Sequence, residues 1–529
     1  MTIRNRTLKI DDSPHSIIKL SAWGLCICMI CLNSTVAIAQ VTNEKPNIIF
    51  ILADDMGYGD VAALNSKGKI RTPNLDKMSQ SGMVFTDAHG SSAVCTPSRY
   101  GILTGRYNWR SSLKNGVLGI YDQPIISPER TTIPSMLAKQ GYNTACIGKW
   151  HLGFNWVTTD GKKPIDDFKT NNINYKANIT GGPRSVGFNY FFGVDAPNYP
   201  PYAFIENEQL TAQPDTFYAV NPELDCRGGS GVKNWSLENV FPFFQQKAID
   251  YINKMGKNKS PFFLYLPITA PHTPIVPDKD FSGKSGLNKY ADFVMQVDAY
   301  VGEIINVLQK NNLLNNTLIV FTSDNGASPQ ANFKELEEKN HNPNYIFRGM
   351  KSDIYEGGHH IPCLVQWPKV IKGNQPCNQT ISLNDFMATF AKIAGYQLAD
   401  SEGEDSYNLL PLFENPASKT IIREAIVYHS INGSFSIRKG KWKLEMTAGS
   451  GGWSFPKPGK QEDDLPVIQL YNMENDIGET KNVEAENPLI VKEMTALLKQ
   501  YVENGRSTKG KPQKNDGLFL KNRMKWMEN

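Results

Sequence analysis

Long hydrophobic runs are missing from most of this 529-residue sequence, and so is a large charge of either sign. Beyond the first forty residues no segment approaches eighteen consecutive apolar residues, which argues against a bundle of transmembrane helices. Lysine and arginine number 56 and aspartate and glutamate 52, a net charge of +4 that does not suit a protein coating nucleic acid. The 42 glycines and 32 prolines follow no period, which excludes a collagen-like chain.

The first 39 residues have the composition of an export signal. A basic segment precedes an apolar stretch at 20–32 that is short for a bilayer, and 37–39 (AIA) fits a cleavage site. We therefore predict a signal peptide at 1–39 and an exported protein, periplasmic or secreted, with a leader more typical of bacteria. Its retention as an N-terminal anchor is the alternative. Removal takes away four basic and two acidic residues and leaves a net charge of +2.

Cysteine is scarce, with 8 in the whole sequence and three of these in the leader. The cysteines that remain in the mature chain are Cys95, Cys146, Cys226, Cys363 and Cys377. So few in so long a chain exclude a disulfide scaffold. Their odd number leaves at least one as a free thiol, a modified residue or an intermolecular partner, and whether any of the others pair is open.

Short apolar runs alternate with amphipathic segments over the first three quarters of the chain. The predicted strands are 47–53, 144–147, 262–268 and 318–322, and the predicted helices are 75–81, 133–140, 240–255 and 290–309. This alternation predicts an α/β fold, with a mostly parallel sheet between helices on both faces. A strand at 361–367 is expected to continue the pattern, and 383–394 to form another helix.

The pattern changes after about Pro416. Short strands at 425–431, 434–438, 441–446 and 469–473 and a helix at 488–504 predict a smaller α+β domain with an antiparallel sheet. The predicted organisation is thus a catalytic domain at 40–416 and a C-terminal subdomain at 417–529. We expect a mobile basic tail from Arg506. The glycine-rich segment 448–459 is expected to be a surface loop, and its Trp453 is a candidate for the mouth of a pocket.

Polar side chains follow four predicted strands at the point where each strand ends. They are Asp54 and Asp55, Lys149 and His151, His272, and Asp324 and Asn325. Ligands of open parallel sheets bind beyond the carboxyl ends of the strands, so these side chains are expected to meet. Each acidic pair alone could be a helix cap or a turn. Together, hard oxygen donors without a thiolate favour Ca²⁺ or Mg²⁺ over zinc or copper.

The segment 95–99 (CTPSR), followed by Thr104-Gly105, resembles the signature of the type I sulfatases. In that family the C-x-P-S-R sequence directs oxidation of the cysteine to Cα-formylglycine. Further stretches resemble the family in the same order: 46–59, 141–153, 270–274, 323–326, 348–362 and 470–482. The resemblance covers nearly the whole mature chain. It implies an alkaline-phosphatase-like large domain and a sulfuric ester hydrolase that depends on formylglycine.

The same resemblance implies a set of site residues. One calcium ion would be held by Asp54, Asp55, Asp324 and Asn325, with residue 95 completing the shell. The hydrate of the aldehyde at Cys95 would attack sulfur, and re-formation of the aldehyde would release sulfate. A maturation enzyme that generates formylglycine is then an expected partner.

Positive and proton-transferring side chains follow from the charge of the substrate. By resemblance, Arg99 orients the hydrate, and Lys149 and Lys351 bind the sulfate oxygens. His151 is expected to be the base that drives sulfate release. His272 is expected to bind sulfate and to protonate the leaving oxygen, either alone or together with Lys351, and this division of roles is open.

The substrate is expected to be a sulfated carbohydrate, either an algal polysaccharide fragment or a glycosaminoglycan. The segments 106–110 (RYNWR) and 195–202 (DAPNYPPY) carry residues that suit sugar binding or, equally, packing beneath a loop. The sugar, the sulfated position and exo or endo action stay open. The alternatives are a phosphoester hydrolase of the same superfamily and a non-catalytic carbohydrate-binding homologue. The cysteine within CTPSR argues against the first, and the complete set of site residues argues against the second.

Overall fold

The computed structural model describes residues 44–528 of the chain. The predicted signal peptide at 1–39 lies outside the described residues. From Lys45 onward the chain forms one compact unit, so the predicted boundary at 416/417 stays a prediction. Among the described residues, every helix is too short or too polar to cross a bilayer.

The strands are β1 Asn47–Asp54, β2 Met83–Phe85, β3 Ala88–His89, β4 Asn143–Lys149, β5 Tyr190–Val194, β6 Ile205–Glu206, β7 Gln209–Leu210, β8 Thr216–Tyr218, β9 Gly229–Gly231, β10 Phe262–Pro271, β11 Thr317–Ser323, β12 Cys363–Gln366, β13 Gln375–Cys377, β14 Ile381–Ser382, β15 Ile426–His429, β16 Phe435–Lys439, β17 Trp442–Glu445 and β18 Gln469–Asn472. The α-helices are α1 Pro73–Ser81, α2 Cys95–Thr104, α3 Ile133–Lys139, α4 Val240–Met255, α5 Lys289–Lys310, α6 Phe333–Glu338, α7 Glu356–His359, α8 Phe386–Ala394, α9 Leu410–Glu414 and α10 Pro488–Glu503.

The main sheet has ten strands in the order β13-β2-β12-β11-β1-β10-β4-β5-β6-β7. Its five central strands, β11, β1, β10, β4 and β5, all run parallel. The predicted α/β fold with a mostly parallel sheet is therefore confirmed. The four strands predicted at 47–53, 144–147, 262–268 and 318–322 correspond to β1, β4, β10 and β11.

Strand β12 departs from the sequence prediction, because it runs antiparallel to β11 instead of continuing the parallel pattern. Cys363, the first residue of β12, pairs with Thr322 near the carboxyl end of β11. The chain therefore enters β12 at the carboxyl edge of the sheet and must run in the opposite direction. This arrangement keeps Lys351, which lies in the connection, near the ends of the central strands.

Side chains of β1 alternate between two apolar cores, as expected for a strand covered on both faces. Ile48, Phe50 and Leu52 pack with α2, α3 and α8 on one face. Ile49 and Ile51 pack with α1, α4 and α5 on the other. This double coverage fixes the register of the central strands and therefore the positions of the residues at their carboxyl ends.

The C-terminal part contains the predicted antiparallel sheet, in the order β15-β16-β17-β18, and α10 packs against it. Tyr107 and Trp109, from the segment after α2, belong to the same apolar cluster. The tail after Arg506 is packed, contrary to the expected mobility. Trp526 is only 9% exposed, and the Asp516 Oδ2 atom lies 2.6 Å from Arg106 NH1. The tail is held because it carries apolar and acidic side chains that complement this surface.

All five cysteines of the described residues are free thiols. Cys363 and Cys377 align with Phe85 from opposite sides of β2. Two strand spacings of about 4.8 Å separate them, which is beyond the reach of a disulfide.

Candidate active site

The polar residues predicted from the strand ends meet at the carboxyl edge of the main sheet. Asp54 is the last residue of β1, Lys149 is the last of β4, His272 follows β10 and Asp324 follows β11. These strands are parallel neighbours, so their carboxyl ends open on the same side.

Cys95 is the first residue of α2 and lies among these side chains. Its Sγ atom is 3.5 Å from Asp54 Oδ1 and 4.0 Å from Asp55 Oδ1. Burial raises the pKa of the Cys95 thiol to about 12, despite Lys149 and Lys351 nearby. The unmodified side chain is therefore a neutral thiol, which is a weak nucleophile.

Helix α2 is buried along its whole length, which fixes the position of Cys95. At Gly101 an added Cβ would lie 2.5 Å from Ser91 Oγ and 2.6 Å from Asn384 Oδ1, so a larger residue would displace the helix. The N-terminus of α2 lies at the acidic cluster, because its first residue is Cys95. Such an end favours a bound anion.

The oxygen ligands predicted for a metal ion contact one another directly. Asn325 Nδ2 donates to Asp55 Oδ1 at 2.7 Å, and the Asp55 backbone N–H donates to Asp324 Oδ1 at 3.2 Å. Asn325 Oδ1 is buried without a hydrogen-bond partner among the described residues. Three carboxylates beside an amide oxygen that needs a partner form a donor set that fits a hard divalent cation such as Ca²⁺.

A set of ligand-type atoms from Asp54, Asp55, Cys95 and His272 also lies within 4.8 Å of one another. The thiol and imidazole of this set would suit a softer metal. The orphaned Asn325 oxygen and the Asp324 carboxylate favour the oxygen-rich set.

Three buried cations face the three carboxylates. Lys149 Nζ lies 2.7 Å from Asp54 Oδ2, and Lys351 Nζ lies 2.7 Å from the Asp55 carboxylate. Arg99 NH2 lies 2.7 Å from Asp324 Oδ2 and 3.3 Å from Asp54 Oδ1. These six charges cancel, so a bound divalent cation would give the site a positive charge.

Asp54 and Asp324, which both contact Arg99, have pKa values that are shifted in opposite directions. Burial alone would raise the pKa of Asp54, but the positive charges of Lys149, Arg99 and Lys351 outweigh it and hold that pKa well below its usual value. Burial and repulsion from Asp54 raise the pKa of Asp324. The Asp54 carboxylate is therefore the more strongly ionised of the two.

His151 presents one unprotonated ring nitrogen. Its Nε2 atom lies 3.0 Å from the Leu118 carbonyl and donates to it, and its Nδ1 atom is buried with no hydrogen-bond partner among the described residues. Burial, reinforced by Lys149, lowers the pKa of His151 well below its usual value. The Thr96 hydroxyl donates to the His151 carbonyl at 3.0 Å, which ties this residue to the one after Cys95. A neutral imidazole in this position can accept a proton.

His272 also bonds a backbone carbonyl, but through its Nδ1 atom, whereas His151 does so through Nε2. Its Nδ1 atom lies 2.6 Å from the Thr273 carbonyl, and its Nε2 atom lies 3.7 Å from Asp55 Oδ2. Burial and Lys149 lower its pKa to about 4. The resting side chain is neutral, with Nε2 directed at the acidic cluster.

Three non-glycine residues of this edge have left-handed backbone conformations. The φ angles are 65° at Asp55, 53° at His151 and 86° at Ser352, the residue after Lys351. Such conformations cost about 1–3 kcal/mol each and persist only where the surroundings hold them. The chain is therefore not extended at His151. Its sharp turn directly after β4 sets the direction of the ring.

Asp195 is a site residue that the sequence analysis included only in the segment 195–202, and not among the residues at the strand ends. It follows β5, the fifth parallel strand, and its Oδ1 accepts the His151 backbone N–H at 3.1 Å. Burial raises the pKa of Asp195 to about 7. The signal was present in the sequence, because a charged residue directly follows the apolar run of Tyr190–Val194, and polar or charged residues also end or directly follow the other central strands.

One of the two segments considered for sugar binding, 106–110, lies in the interior of the protein. Arg106 and Arg110 are fully buried, and Arg110 forms an ion pair with Asp405 at 2.7 Å. Trp109 is fully buried in the C-terminal core. The segment 106–110 therefore packs under the C-terminal part, so of the two roles left open for it the structure supports packing and not sugar binding. Arg106 and Arg110 form ion pairs within the protein, with Asp516 and Asp405.

A second cluster of ligand-type side chains comprises Asp87, His89, Glu356 and His360. Asp87 already pairs with Arg438 at 2.8 Å, and Glu356 pairs with Lys443 at 3.0 Å. This cluster is a buried ion-pair network that connects α7 with β16 and β17.

Comparison with known proteins identifies what this arrangement resembles. Residues 46–396 match the family described as Sulfatase. An N-acetylgalactosamine-6-O-sulfatase from Bacteroides thetaiotaomicron is 32% identical over 496 residues, which cover 86% of this chain and 93% of the relative. Human steryl-sulfatase is 30% identical over 434 residues, which cover 71% of each chain.

Solved structures agree with the sequence comparison. A B. thetaiotaomicron protein described in the metabolism of multiple glycosaminoglycans has a TM-score of 0.74 and 31% identity, covering 86% of this chain and 99% of that one. Ps i-CgsB, solved with k-i-k-neocarrahexaose, has a TM-score of 0.65 and 25% identity, covering 92% and 97%. The predicted family and its alkaline-phosphatase-like fold are confirmed.

Proposed function

The chain belongs to the sulfatase family of sulfuric ester hydrolases, and from that premise we propose that it removes sulfate from sulfated carbohydrates. The reaction would use a Cα-formylglycine formed from Cys95 and one bound Ca²⁺. The observation that carries the proposal is the position of Cys95 at the N-terminus of α2, within 4.0 Å of both Asp54 and Asp55.

The carbohydrate substrate is proposed from the relatives. The B. thetaiotaomicron relative acts on N-acetylgalactosamine 6-O-sulfate by its name, and the first matched structure is described with glycosaminoglycan metabolism. A 6-sulfated amino sugar in a glycosaminoglycan fragment is therefore the first substrate to test. Algal fragments come second, on the likeness to the structure with bound neocarrahexaose.

The cation would be held by Asp54, Asp55, Asp324 and the orphaned Asn325 Oδ1. When bound, Ca²⁺ would polarise the sulfate group and favour ionisation of the attacking hydroxyl. Because the six charged side chains cancel, its charge would make the site attractive to a sulfate monoester. Attraction is thus local, in a chain whose overall charge is close to neutral.

The fixed cations hold the substrate anion. Lys149 and Lys351 each lie 2.7 Å from a carboxylate, so they are aimed at the place where cation and sulfate would meet. Arg99 donates from NH1 to the Lys149 carbonyl at 3.1 Å as well as pairing with Asp324. It therefore orients the group at position 95 and braces the end of β4.

The two histidines divide the proton transfers. His151, whose Nδ1 is unprotonated and without a partner among the described residues, takes the proton that must leave before sulfate is released. His272 lies beside Asp55 and gives a proton to the leaving alcohol oxygen, after the negative sulfate group has favoured its protonated form. Such transfers contribute about 10²–10⁴-fold each.

Export and maturation complete the proposal. The leader at 1–39 would deliver the enzyme to the periplasm or the exterior, where polymeric glycans are met. A formylglycine-generating enzyme must act on the CTPSR segment before α2 is buried, because Cys95 is only 2% exposed in the folded chain.

The test combines two measurements on protein from the native host. Peptide mass spectrometry should show formylglycine at position 95, and purified enzyme should release free sulfate from defined sulfated oligosaccharides. An unmodified cysteine at position 95 in active enzyme would refute the mechanism. Sulfate release from aryl sulfates alone would refute the carbohydrate assignment.

A further inference from the structure

The glycine-rich segment 448–459 carries two aromatic side chains that are open to solvent beside the candidate site. Trp453 is 39% exposed and Phe455 is 73% exposed. We propose that these two side chains form an aromatic platform on which a second sugar ring of the substrate stacks, so that the enzyme binds a glycan chain rather than a single sugar. This inference rests on the carbohydrate substrate proposed above.

One carboxylate holds both the platform and the turn that carries Lys351. Asp353 Oδ1 accepts from the backbone N–H groups of Trp453 at 2.7 Å and Ser454 at 3.1 Å. Asp353 Oδ2 accepts from the backbone N–H of Met350 at 2.9 Å. The position of the platform is therefore coupled to the position of the sulfate-binding lysine.

The approach of the two segments is so close that it requires glycine. At Gly452 an added Cβ would lie 2.5 Å from Asp353 Oδ1 and 2.6 Å from the Ser352 carbonyl carbon. The Trp453 backbone N–H also lies 3.0 Å from Ser352 Oγ. Consecutive Cα atoms are 3.8 Å apart, so the platform starts within about 10 Å of the Lys351 main chain.

Internal hydrogen bonds make the segment rigid. The Ser450 backbone N–H donates to the Pro456 carbonyl at 2.9 Å, and its hydroxyl donates to the Ser454 carbonyl at 2.8 Å. The backbone N–H of Ile354 donates to the Ser450 carbonyl at 2.7 Å. A platform held in this way loses little conformational entropy on binding.

The chemistry favours a sugar ring over a protein partner. Aromatic rings offer a large, rigid apolar surface that can cover the C–H face of a pyranose while its hydroxyls stay in water. A specific protein interface usually covers about 800 Å² on each side, far more than two side chains supply. The segment that carries Trp453 also contacts Ser352 and Asp353, which follow Lys351, as expected for a substrate that extends outward from the sulfate site.

The test compares a long and a short substrate in Trp453→Ala and Phe455→Ala. We expect kcat/KM for a sulfated tetrasaccharide to fall about three- to ten-fold, the size of an aromatic contact. For the corresponding sulfated monosaccharide, kcat/KM should stay within about two-fold of the parent. Phe168→Ala, which removes an 80% exposed aromatic from another part of the chain, should change neither. Calorimetry should show weaker tetrasaccharide binding to Cys95→Ala/Trp453→Ala than to Cys95→Ala.

Equal losses on both substrates would overturn the platform, because the segment would then act through Lys351. Unchanged kcat/KM on the tetrasaccharide would overturn it as well. If the parent hydrolyses aryl sulfates but no sulfated saccharide, the proposed function itself fails and the platform with it. That result is distinct, since it appears in the parent enzyme before any platform variant is made.

Discussion

Lys149 Nζ lies 2.7 Å from Asp54 Oδ2, and both side chains are completely buried. The two residues end strands β4 and β1, which are separated in the sheet by β10. A lysine is long enough to bridge this gap, and an unpaired charge at this depth would be costly. Asp54 therefore holds the Lys149 ammonium group beside the acidic cluster, where it can also bind a substrate anion.

Cys95→Ala should abolish sulfate release and leave the fold intact, because the helix that carries it is held by other contacts. The matched control is Cys226→Ala, at another buried cysteine outside the site. It should keep the parent activity. Activity of the Cys95 variant within about ten-fold of the parent would remove residue 95 from the reaction.

Asp324→Asn should lower Ca²⁺ affinity and activity together, since it removes one charge from the metal ligands and leaves Arg99 without its closest partner. Calorimetry with Ca²⁺ gives the affinity directly, and we expect a loss of about ten-fold or more. Asp298→Asn is the control, because Asp298 is a buried carboxylate that caps α1. Undiminished affinity in the Asp324 variant would exclude it as a ligand.

His272→Ala and His151→Ala should respond differently to the leaving group. Loss of a proton donor slows substrates with a basic leaving oxygen, so His272→Ala should impair sugar sulfates by about 10²-fold or more and activated aryl sulfates much less. His151→Ala should slow both alike, after an initial burst of one alcohol per enzyme, because release of sulfate is common to both. The opposite pattern would exchange the two roles.

The free energy of unfolding should decrease as the pH is lowered, because of His429, which is buried beside Lys114 and Arg523. Burial and Lys114 lower the pKa of His429 to about 3. The unfolded histidine takes up a proton below pH of about 6.5, while the folded one stays neutral, so this contribution to stability is lost as pH falls from 6.5 toward 3. His429→Gln should reduce the slope by up to about 1.4 kcal/mol per pH unit in urea unfolding. Equal slopes in parent and variant would contradict the assignment.

The C-terminal tail should contribute to stability. Trp526→Ala removes a side chain that is only 9% exposed and packs in the C-terminal core, and it should cost about 3 kcal/mol or more. Leu518→Ala, at a side chain that is 92% exposed, should cost less than about 0.5 kcal/mol. Similar unfolding midpoints for both variants would mean that the tail is as mobile as its composition suggests.

Several features were predictable because they depend on local pattern. The apolar runs of β1, β4, β10 and β11 end in polar residues, and parallel strands place such ends together. Strand β12 was not predictable in direction, since its four residues carry no sign of the path that the chain takes before them. Asp195 was not predicted at a strand end because β5 was not recognised as a strand.

The amino-acid sequence by itself determined the family, the mostly parallel sheet and the residues that would gather at its edge. It could do so because a strand's period, a signature around one cysteine and the residues after each strand are all local information. Only the tertiary structure decided that Arg106, Trp109 and Arg110 are buried, that the tail is packed, and that Gly452 brings an aromatic segment against Ser352. Those outcomes depend on which distant segments share a surface, and on whether a buried charge finds its partner there.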